Sequence, residues 1–493
     1  MSDMTQQRES LDVVVIGAGV VGCAAARELS RYRLSVVVCE QGAEAGQGGA
    51  TKANTGIIHA GYDPAPGTLM ARMNVRGNAL YTGLCQDLGV RLDRSGTLVV
   101  ALSQEDRPYL DALLARGRVN GVPGLCLVGH DELMKLEPNV HRQADSALFA
   151  PTGGAVEPYE VALALAENAA RNGVWFLFDR AVSGLEPLDD GWCVHLGTQE
   201  LRTRFVVNAA GLSAAKISQA AVPEKHFHMH PRLGQYVLLE NRPEYDIRHP
   251  VFQVPGPTGK GVVVSRTPDG NIIVGPTAED TDSDRDLATT DAGLRSVLAQ
   301  AHRSVPTLDE RLAITEFCGA RAIIDERDDF LIEESAPGFF NAAGIKSPGL
   351  TAAPAIAEEL VRLMANGGLE LVANPAFIPT NEPAILFRDC RTEEQVQMIH
   401  ENPAFGRIVC RCETVTEGDV VRAIHRPLGA RTLDGVKFRT RAGMGRCQGG
   451  FCGPRVLEIL SRELNVDPLL ITKCGPGSEI LATRLRPEGD SCA

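Results

Sequence analysis

The fold class of this chain is decided by residues 11–41, LDVVVIGAGVVGCAAARELSRYRLSVVVCEQ. A strand-like apolar run, a glycine-rich turn, a helical segment and a second apolar run follow one another, as in a dinucleotide-binding βαβ unit. Gly17 makes the tight turn, Gly19 lets the backbone approach a pyrophosphate, and Gly22 lets the helix pack on the strand. Glu40 ends the second strand, where a carboxylate accepts hydrogen bonds from ribose hydroxyls. The stretch therefore predicts an α/β, Rossmann-like domain.

The composition predicts a water-soluble protein of several domains. The chain has 493 residues, of which 44% are hydrophobic and 23% charged, so two or three domains are expected. Its net charge of -13 argues against nucleic-acid binding, because nucleic-acid-binding proteins present a basic surface. The sequence contains neither a signal peptide nor an apolar run of about 18 residues, so no transmembrane segment is predicted. We expect a cytoplasmic protein, and an oligomer is compatible with the sequence.

Twelve of the thirteen cysteines fall into groups with different expected roles. Two close pairs near the C-terminus predict a metal site made of four thiolates, Cys410, Cys412, Cys447 and Cys452. The CxC and CxxxxC spacings bracket a helical segment, EGDVVRAIHRPLG, which favours an iron–sulfur cluster, with structural zinc as the alternative. Six cysteines lie singly among apolar residues and are expected to be buried thiols: Cys23, Cys39, Cys85, Cys126, Cys193 and Cys318. Cys474 and Cys492 receive no role.

Two later segments return to the nucleotide-binding sheet. Residues 202–217, RTRFVVNAAGLSAAKI, form an apolar strand that ends in Ala-Ala-Gly, and residues 338–364, GFFNAAGIKSPGLTAAPAIAEELVRLM, repeat the strand-to-helix pattern. A chain that visits one nucleotide sheet three times is typical of FAD proteins with an interrupted binding domain. The last helix would point its positive N-terminal end at the flavin; an ordinary capped helix starting near Ser347 or Thr351 is the alternative.

Several further motifs resemble one flavoprotein superfamily. TKANTGIIHAGYDPAPGTLMARMNVRGN, GGAVEPYEVALALAENAARNG, GPTAED, GARAIIDERDDFLIE and GIKSPGLTAAPAI follow one another over about the first 370 residues. They resemble amino-acid-oxidase-type FAD-dependent oxidoreductases, in the branch of L-2-hydroxyglutarate and bacterial glycerol-3-phosphate dehydrogenases. The stretch VCRCETVTEGDVVRAIHRPLGARTLDGVKFRTRAGMGRCQGGFCGPRV is similar to 2Fe-2S domains of the bacterioferritin-associated-ferredoxin type. This resemblance implies that the four clustered cysteines hold a 2Fe-2S cluster.

The resemblance also implies how the domains are arranged. A discontinuous FAD-binding domain surrounds an inserted, mixed α+β substrate cap, and a small, mainly helical 2Fe-2S domain follows. We assign 11–85, 145–222 and 335–372 to FAD binding, 86–144 and 223–334 to the cap, 373–405 to a linker, and 406–493 to the 2Fe-2S domain and C-terminal tail. Alternating patterns in RLGQYVLLE and KGVVVSRTPDGNIIVGP predict cap strands, with Asp-Gly marking a hairpin turn.

Candidate catalytic residues follow from the same motifs. His59 is the expected base, because an imidazole accepts a hydroxyl proton at neutral pH; the alternative is that it only hydrogen-bonds backbone or flavin. Arg321 matches an arginine that holds the acidic end of the substrate in related enzymes, and its planar fork suits carboxylate or phosphate. An ion pair of Arg321 with Asp325 or Asp328 is the alternative. Lys346 is expected near the ring or substrate and Lys52 near the flavin turn; the alternative for both is an ordinary solvated lysine.

The remaining predicted site residues surround the two cofactors. Contacts with FAD are expected from Gly17, Gly19, Gly22, Glu40, Thr55, Gly56, Val182, Ala210, Gly211, Gly344, Gly349, Leu350 and Thr351. Five basic residues near the cluster cysteines are expected either to tune the cluster and dock an electron partner or to form a solvated basic face: Arg411, Lys437, Arg439, Arg441 and Arg446.

Together these parts predict an FAD-dependent dehydrogenase that oxidises the secondary alcohol of a small anionic metabolite. FAD would take two electrons, and the cluster would pass them singly to a partner such as a second flavoprotein or a respiratory acceptor. The first substrate candidate is sn-glycerol 3-phosphate, because KANTGIIHAGYDPAPGTL resembles that branch most closely; L-2-hydroxyglutarate and amines such as opines are alternatives. An electron-transfer subunit without its own substrate is a further alternative, and such a protein could attach peripherally to a membrane through its partner.

Overall fold

The computed structural model describes residues 10–242, 247–255, 261–283 and 286–484. Lys260, at the start of a predicted cap strand, lies outside the described residues, as does the predicted C-terminal tail from residue 485, including Cys492.

Twelve α-helices lie in the described part of the chain, none of them both long and apolar enough to cross a membrane. They are α1 Val20–Leu29, α2 Leu69–Leu88, α3 Arg107–Val119, α4 His130–Leu136, α5 Pro158–Arg171, α6 Ala214–Ala221, α7 Asp291–Ser304, α8 Gly349–Asn366, α9 Thr392–Glu401, α10 Glu417–Ile424, α11 Leu433–Thr440 and α12 Gly453–Leu464.

The strands of the described residues form two large and two small sheets. Those before residue 210 are β1 Leu11–Ile16, β2 Val36–Cys39, β3 Ile57–Ile58, β4 Leu92–Asp93, β5 Thr97–Ala101, β6 Cys126–Gly129, β7 Ser146–Ala150, β8 Gly154–Val156, β9 Trp175–Leu177, β10 Gly184–Leu188, β11 Gly191–Leu196 and β12 Gln199–Asn208. Those after it are β13 Met229–Leu239, β14 Val251–Gln253, β15 Val263–Arg266, β16 Ile272–Gly275, β17 Glu279–Asp280, β18 Ala313–Ile324, β19 Leu331–Ala336, β20 Phe339–Ala343, β21 Ile408–Cys410 and β22 Val415–Thr416.

The first sheet has a parallel core in the order β9-β2-β1-β12-β20, with β10, β11 and β19 added antiparallel at its sides. Successive residues of β1 enter different cores: Val13 and Val15 pack with α1, α5 and α8, whereas Val14 and Ile16 pack on the opposite face beside α6. A strand covered on both faces needs a continuous apolar run, which explains the VVVI sequence. This sheet confirms the predicted Rossmann-like architecture.

The second sheet has nine strands and forms a mixed layer over the first domain. Its longest pairing is the antiparallel one between β13 and β18, and the predicted Asp-Gly hairpin joins β15 and β16, with Val263 opposite Gly275. Strand β7 also lies in this sheet, between β5 and β6, although the sequence assignment placed residues from 145 onward with the FAD-binding segments. The break between the two parts therefore falls after β7 in this stretch.

The C-terminal domain consists of α10–α12 and the β21–β22 hairpin, and it has its own apolar core. Val420, Ile424, Val436 and Ile459 are fully buried there. The helix predicted between the cysteine pairs is α10, whose N-terminus is capped by Thr416. The small helical domain predicted from the sequence is thus present.

The predicted linker is not a free connector. Its first part lies along the first domain: Asn374 donates its backbone N–H to the Arg31 carbonyl at 2.8 Å, and Arg27 donates to the Pro379 carbonyl at 3.0 Å. Its second part contains α9 and the buried Phe387. The chain therefore reaches the C-terminal domain along a fixed course.

Of the six cysteines predicted to be buried, only Cys126 is exposed.

Helix α2 approaches α8 at a glycine, which yields a matched pair of substitutions. A Cβ on Gly77 would lie 2.0 Å from the Thr351 carbonyl oxygen, whereas a Cβ on Gly83 of the same helix meets nothing within 4 Å. We expect Gly77→Ala to destabilise the protein by about 1–3 kcal/mol through overpacking. Gly83→Ala should stabilise it by about 0.5–1 kcal/mol, because alanine loses less entropy in a helix. Thermal unfolding of both variants tests this, and equal effects would contradict it.

Candidate functional site

The turn between β1 and α1 brings backbone segments closer than any side chain allows. Gly17 has a φ of +101°, and a Cβ there would lie 2.6 Å from the Ala209 carbonyl oxygen. A Cβ on Gly22 would lie 1.9 Å from the Gly17 carbonyl oxygen. Gly17 and Gly22 thus allow the tight turn and the close helix packing that the sequence predicts, and α1 begins directly after Gly19.

Glu40 lies at the same edge of the first sheet and is buried. One of its carboxylate oxygens accepts the backbone N–H of Ala18 at 2.7 Å, and the other accepts that of Gly42 at 2.7 Å. A carboxylate has further acceptor capacity beyond these two bonds, so it suits ribose hydroxyls. The Arg180 N–H donates to the Glu40 carbonyl at 2.9 Å, which brings the segment leading to Val182 alongside.

The other predicted FAD contacts gather around this edge. Ala210 and Gly211 come just after β12. The Ala209 N–H donates to the Ile16 carbonyl at 3.0 Å, which holds this segment beside the end of β1. Gly56, next to Thr55, has a φ of +69°, and a Cβ there would lie 2.1 Å from the Val156 carbonyl oxygen. The β1–α1 turn, the residues after β12 and the turn at Gly56 thus pack closely on neighbouring backbone at the edge where a dinucleotide is expected. The residues of these three segments fit FAD.

The N-terminus of α8 faces the site without a side-chain cap. The helix begins at Gly349 and its cap residue is Pro348, which offers no side-chain acceptor. The helix therefore starts between Ser347 and Thr351, as expected, but without the side-chain cap of the alternative reading. The Leu350 carbonyl accepts the Tyr81 hydroxyl at 2.7 Å, which fixes this first turn. Uncapped N–H groups at a helix start suit an acceptor group of a ligand such as flavin.

His59 is held through its backbone by two helices. Its N–H donates to the Thr351 hydroxyl at 2.9 Å, and its carbonyl accepts the side-chain amides of Asn74 and Asn78 at 2.8 and 2.9 Å. Its Nε2 lies 3.3 Å from the Ser347 hydroxyl. Asn74 and Asn78 were not predicted, although two amides four residues apart on the buried face of an apolar helix are a usable signal.

A narrow cleft opens beside the His59 ring. It is lined by His59, Gly61, Tyr62, Asp63, Pro64, Asn74, Ser347 and Pro348. Phe252 of β14 brings the second sheet over this region, with its ring 5.7 Å from the imidazole. His59 therefore lies where the loop before α8 meets the cap.

Arg321 lies on β18 of the cap, and Gly234 on the neighbouring strand leaves room for its side chain: a Cβ there would be 2.5 Å from Nη2. Nη2 donates to the carbonyls of Leu233, at 3.1 Å, and Thr277. Nε is buried and has no hydrogen-bond partner among the described residues. A buried guanidinium nitrogen without a partner is costly unless a ligand satisfies it.

The ion pairs considered for Arg321 are made by other residues. Asp325 Oδ1 lies 2.5 Å from Nδ1 of His230, and Asp328 forms an ion pair with Lys346. Lys346 belongs to the loop that also carries Ser347. Ile324, three residues beyond Arg321, contacts Gly344 in the same region, since a Cβ on Gly344 would be 2.6 Å from Ile324 Cδ1. The strand of Arg321 and the loop beside His59 thus meet.

The four clustered cysteines converge in the C-terminal domain. Cys410 and Cys452 are buried, and Cys412 Sγ lies 3.7 Å from Cys447 Sγ. The pKa of Cys410 is lowered to about 6, chiefly by a hydrogen bond from the Cys452 thiol and further by backbone N–H groups, including that of Gly443. Two sulfur pairs with N–H donors around them fit the four thiolates of an iron–sulfur cluster.

The basic residues near the cluster mostly form contacts between domains. Arg439 pairs with Glu44 of the first domain, Arg441 pairs with Asp269 of the cap, and Arg446 donates to Glu240 of the cap at 2.6 Å. Burial lowers the pKa of Lys437, and the nearby positive charges of Lys473 and Lys52 lower it further. A solvated basic face is therefore wrong for Arg439 and Arg441, although Arg411 is exposed.

Comparisons with known proteins agree with this division of the chain. Residues 12–363 match the family of FAD dependent oxidoreductases, and residues 408–462 match BFD-like [2Fe-2S] binding domains. A glycerol 3-phosphate dehydrogenase of Caloramator mitchellensis is 44% identical over 479 residues, which covers 97% of this chain and 99% of that protein. Human mitochondrial L-2-hydroxyglutarate dehydrogenase is 33% identical over 285 residues, 55% of this chain and 61% of the human protein.

A solved structure supports the same fold. Dithionite-reduced L-alpha-glycerophosphate oxidase of Mycoplasma pneumoniae, with FAD bound, is similar with a TM-score of 0.71 and 33% sequence identity. The match covers 76% of this chain and 99% of the oxidase.

A carboxyl group on α5, near the junction of the three domains, predicts that the stability of the protein depends on pH. The pKa of Glu160 is raised from 4.5 to about 8 by burial and by the negative charges of Glu157 and Asp269. Its folded form binds a proton that the unfolded form releases, so its contribution to stability falls as pH rises from about 4.5 to 8. As the pH rises through this range, we expect Glu160→Gln to gain stability relative to the parent. The gain should reach up to about 1.4 kcal/mol for each unit by which folding raises the pKa of Glu160.

Thermal unfolding from pH 5 to 9 measures this effect. Glu401→Gln, a change of an exposed glutamate on α9, is the matched control and should follow the parent at every pH. A Glu160→Gln curve parallel to the parent would contradict the assignment.

Proposed function

Because the chain belongs to the family of FAD dependent oxidoreductases, with a BFD-like [2Fe-2S] domain behind the FAD-binding part, we propose that it oxidises sn-glycerol 3-phosphate to dihydroxyacetone phosphate. FAD and a [2Fe-2S] cluster are its cofactors, so the zinc alternative for the four cysteines is wrong. When bound, FAD supplies the two-electron acceptor and the cluster a one-electron carrier.

The observation that carries this proposal is the likeness to the C. mitchellensis protein. It extends over both the FAD-binding and the cluster-binding parts, so the combination of domains is shared as well as each domain. The similar oxidase structure adds support, because that enzyme is named as an oxidase of a glycerol phosphate. An electron-transfer subunit without its own substrate has no comparable support.

In the proposed reaction His59 takes the proton of the substrate hydroxyl at a ring nitrogen. The hydrogen bonds from Asn74 and Asn78 and to Thr351 fix its backbone, so the ring keeps one position beside the cleft. Ser347, 3.3 Å from Nε2, orients the imidazole and sets which nitrogen faces the substrate. The cap sheet around Phe252 covers this region, which would exclude water from the reacting hydroxyl.

Arg321 would bind the anionic end of the substrate. Its Nε, which has no hydrogen-bond partner in the described part of the chain, supplies a donor, and its Nη2 bonds to two carbonyls keep the guanidinium in one orientation. One observation favours L-2-hydroxyglutarate as a second candidate: Asp328 already pairs with Lys346, and a single arginine suits a carboxylate better than a phosphate dianion. We further propose a cytoplasmic protein that passes electrons to a second flavoprotein or a respiratory acceptor.

Anaerobic mixing with candidate substrates tests the proposed reaction. We expect sn-glycerol 3-phosphate to bleach the flavin absorbance near 450 nm within a turnover, a general property of reduced flavins. L-2-hydroxyglutarate should bleach it at least about 10-fold more slowly, because the relative that is similar over 97% of this chain is a glycerol 3-phosphate dehydrogenase. Faster bleaching by the hydroxy acid would reverse the ranking, and no bleaching by either would refute the proposal.

The role of His59 is tested by His59→Gln. We expect the rate of flavin bleaching by saturating substrate to fall about 10²–10⁴-fold, the usual contribution of a general base. His400→Gln, which changes an exposed histidine on α9, is the control. Bleaching by His59→Gln at the parental rate would remove this residue from the base role.

A further inference from the structure

A buried carboxylate in the cap binds arginines from three parts of the chain. Asp269 lies in the turn between β15 and β16, and its side chain is 1% exposed. It accepts Nη2 of Arg388, in the linker, at 2.9 Å and Nη1 of Arg441, in the C-terminal domain, at 2.6 Å. Arg91, after α2, pairs with it as well.

A second carboxylate completes the network on the cluster side. Glu413, the residue after the cluster ligand Cys412, accepts Nη1 of Arg388 at 2.6 Å and Nε of Arg441 at 2.9 Å. The remaining nitrogen of Arg441, Nη2, donates to the side-chain oxygen of Asn271 at 2.8 Å. Arg441 therefore joins one carboxylate of the cap to one beside the cluster.

The position of Arg441 links this network to the cluster ligands. The residue ends α11 with a φ of +67°, a backbone conformation that non-glycine residues adopt when their surroundings impose it. Two residues later, the N–H of Gly443 donates to the sulfur of Cys410. Movement of Arg441 would thus displace a loop that holds the cluster.

The C-terminal domain also contacts the FAD-binding part, through residues other than Arg441 and Glu413. Glu44, between Glu40 and the Thr55 turn, pairs with Arg439 and accepts the Thr432 hydroxyl at 2.9 Å. The Tyr159 ring lies 4.8 Å from the Phe438 ring. The cluster-binding domain is therefore placed next to the loop that leads to the expected flavin, and the Asp269 network holds it there from the cap.

We propose that Asp269 and Arg441 are positioning residues, whose ion pair holds the cluster-binding loops within electron-transfer range of the flavin. The proposal rests on the proposed function only for the source of electrons. Oxidation of the alcohol would transfer the hydride of the carbon to bound FAD and the hydroxyl proton to the base, and the proton of the hydride would be released to solvent as the two electrons leave. The cluster carries one electron at a time, so each turnover sends two electrons in succession to a one-electron acceptor outside the chain. We expect the network to affect the second stage, the transfer of electrons from the flavin to the cluster, and not the first stage, the oxidation of the substrate.

The test compares Asp269→Asn with the parent holoenzyme. The substitution keeps the size of the side chain and removes the charge between the arginines. The matched control is Glu240→Gln, which breaks another contact between cap and C-terminal domain, the half-exposed pair with Arg446; exposed pairs contribute little. Flavin and iron per chain are measured first.

Three readouts separate the two stages. We expect Asp269→Asn to be bleached at 450 nm by substrate at the parental rate. Its cluster, followed by the electron paramagnetic resonance signal after rapid freezing, should be reduced at least 10-fold more slowly. Hydrogen–deuterium exchange of residues 408–462 should rise. In Glu240→Gln all three should match the parent.

Light-driven reduction of the flavin with a sacrificial donor repeats the test without substrate. This version tests the positioning role even if the substrate assignment is wrong. If neither substrate bleaches the parent, only the substrate assignment is refuted. Parental cluster reduction and unchanged exchange in Asp269→Asn would overturn the positioning role.

A second variant covers loss of a cofactor. If Asp269→Asn lacks flavin or iron, Arg441→Lys takes its place, because it keeps the charge and removes the forked donors. Cluster reduction slowed in this variant supports the proposal. Loss of iron from both variants would overturn it, since the network would then serve cluster assembly.

Discussion

The close packing of the β1–α1 turn against the residue after β12 is the constraint on which the rest of the structure depends. A Cβ on Gly17 would collide with the Ala209 carbonyl, and a Cβ on Gly22 would collide with the Gly17 carbonyl, so the turn, the start of α1 and the end of β12 meet at one edge of the sheet. Glu40 and the residues after β12 are brought to that edge by the parallel pairing alone. Because the dinucleotide position follows from this packing, the loop before α8, and with it the position of His59, is defined relative to the same edge.

No single domain contains the candidate active site. His59 is anchored by α2 and α8 of the first domain, whereas Arg321 lies in the long β13–β18 pair of the cap. The two parts meet where Gly344 contacts Ile324 and where Phe252 approaches His59. Substrate binding in such a site depends on how the cap packs on the flavin domain, because the proton acceptor and the anion-binding group come from different layers.

Features encoded within a short stretch could be predicted from the sequence. The βαβ unit, the β15–β16 hairpin and the cysteine pairs each depend on spacings of a few tens of residues. The interfaces could not be predicted, because Glu44 and Arg439 are 395 positions apart and neither carries a local signal of the other. For the same reason Arg439 and Arg441 were assigned to a surface near the cluster, and a strand as short as β7 was given to the wrong layer.

The buried carboxylates at the domain junction bear on how such a two-module protein could arise. Asp269, Glu44 and Glu167 each pair with an arginine of the C-terminal domain, Arg441, Arg439 and Arg426 respectively, and Asp269 pairs with Arg91 and Arg388 as well. A chain cut before residue 408 would leave three acidic side chains without these partners. We therefore expect gain or loss of the cluster module during evolution to be accompanied by compensating changes in the oxidoreductase part.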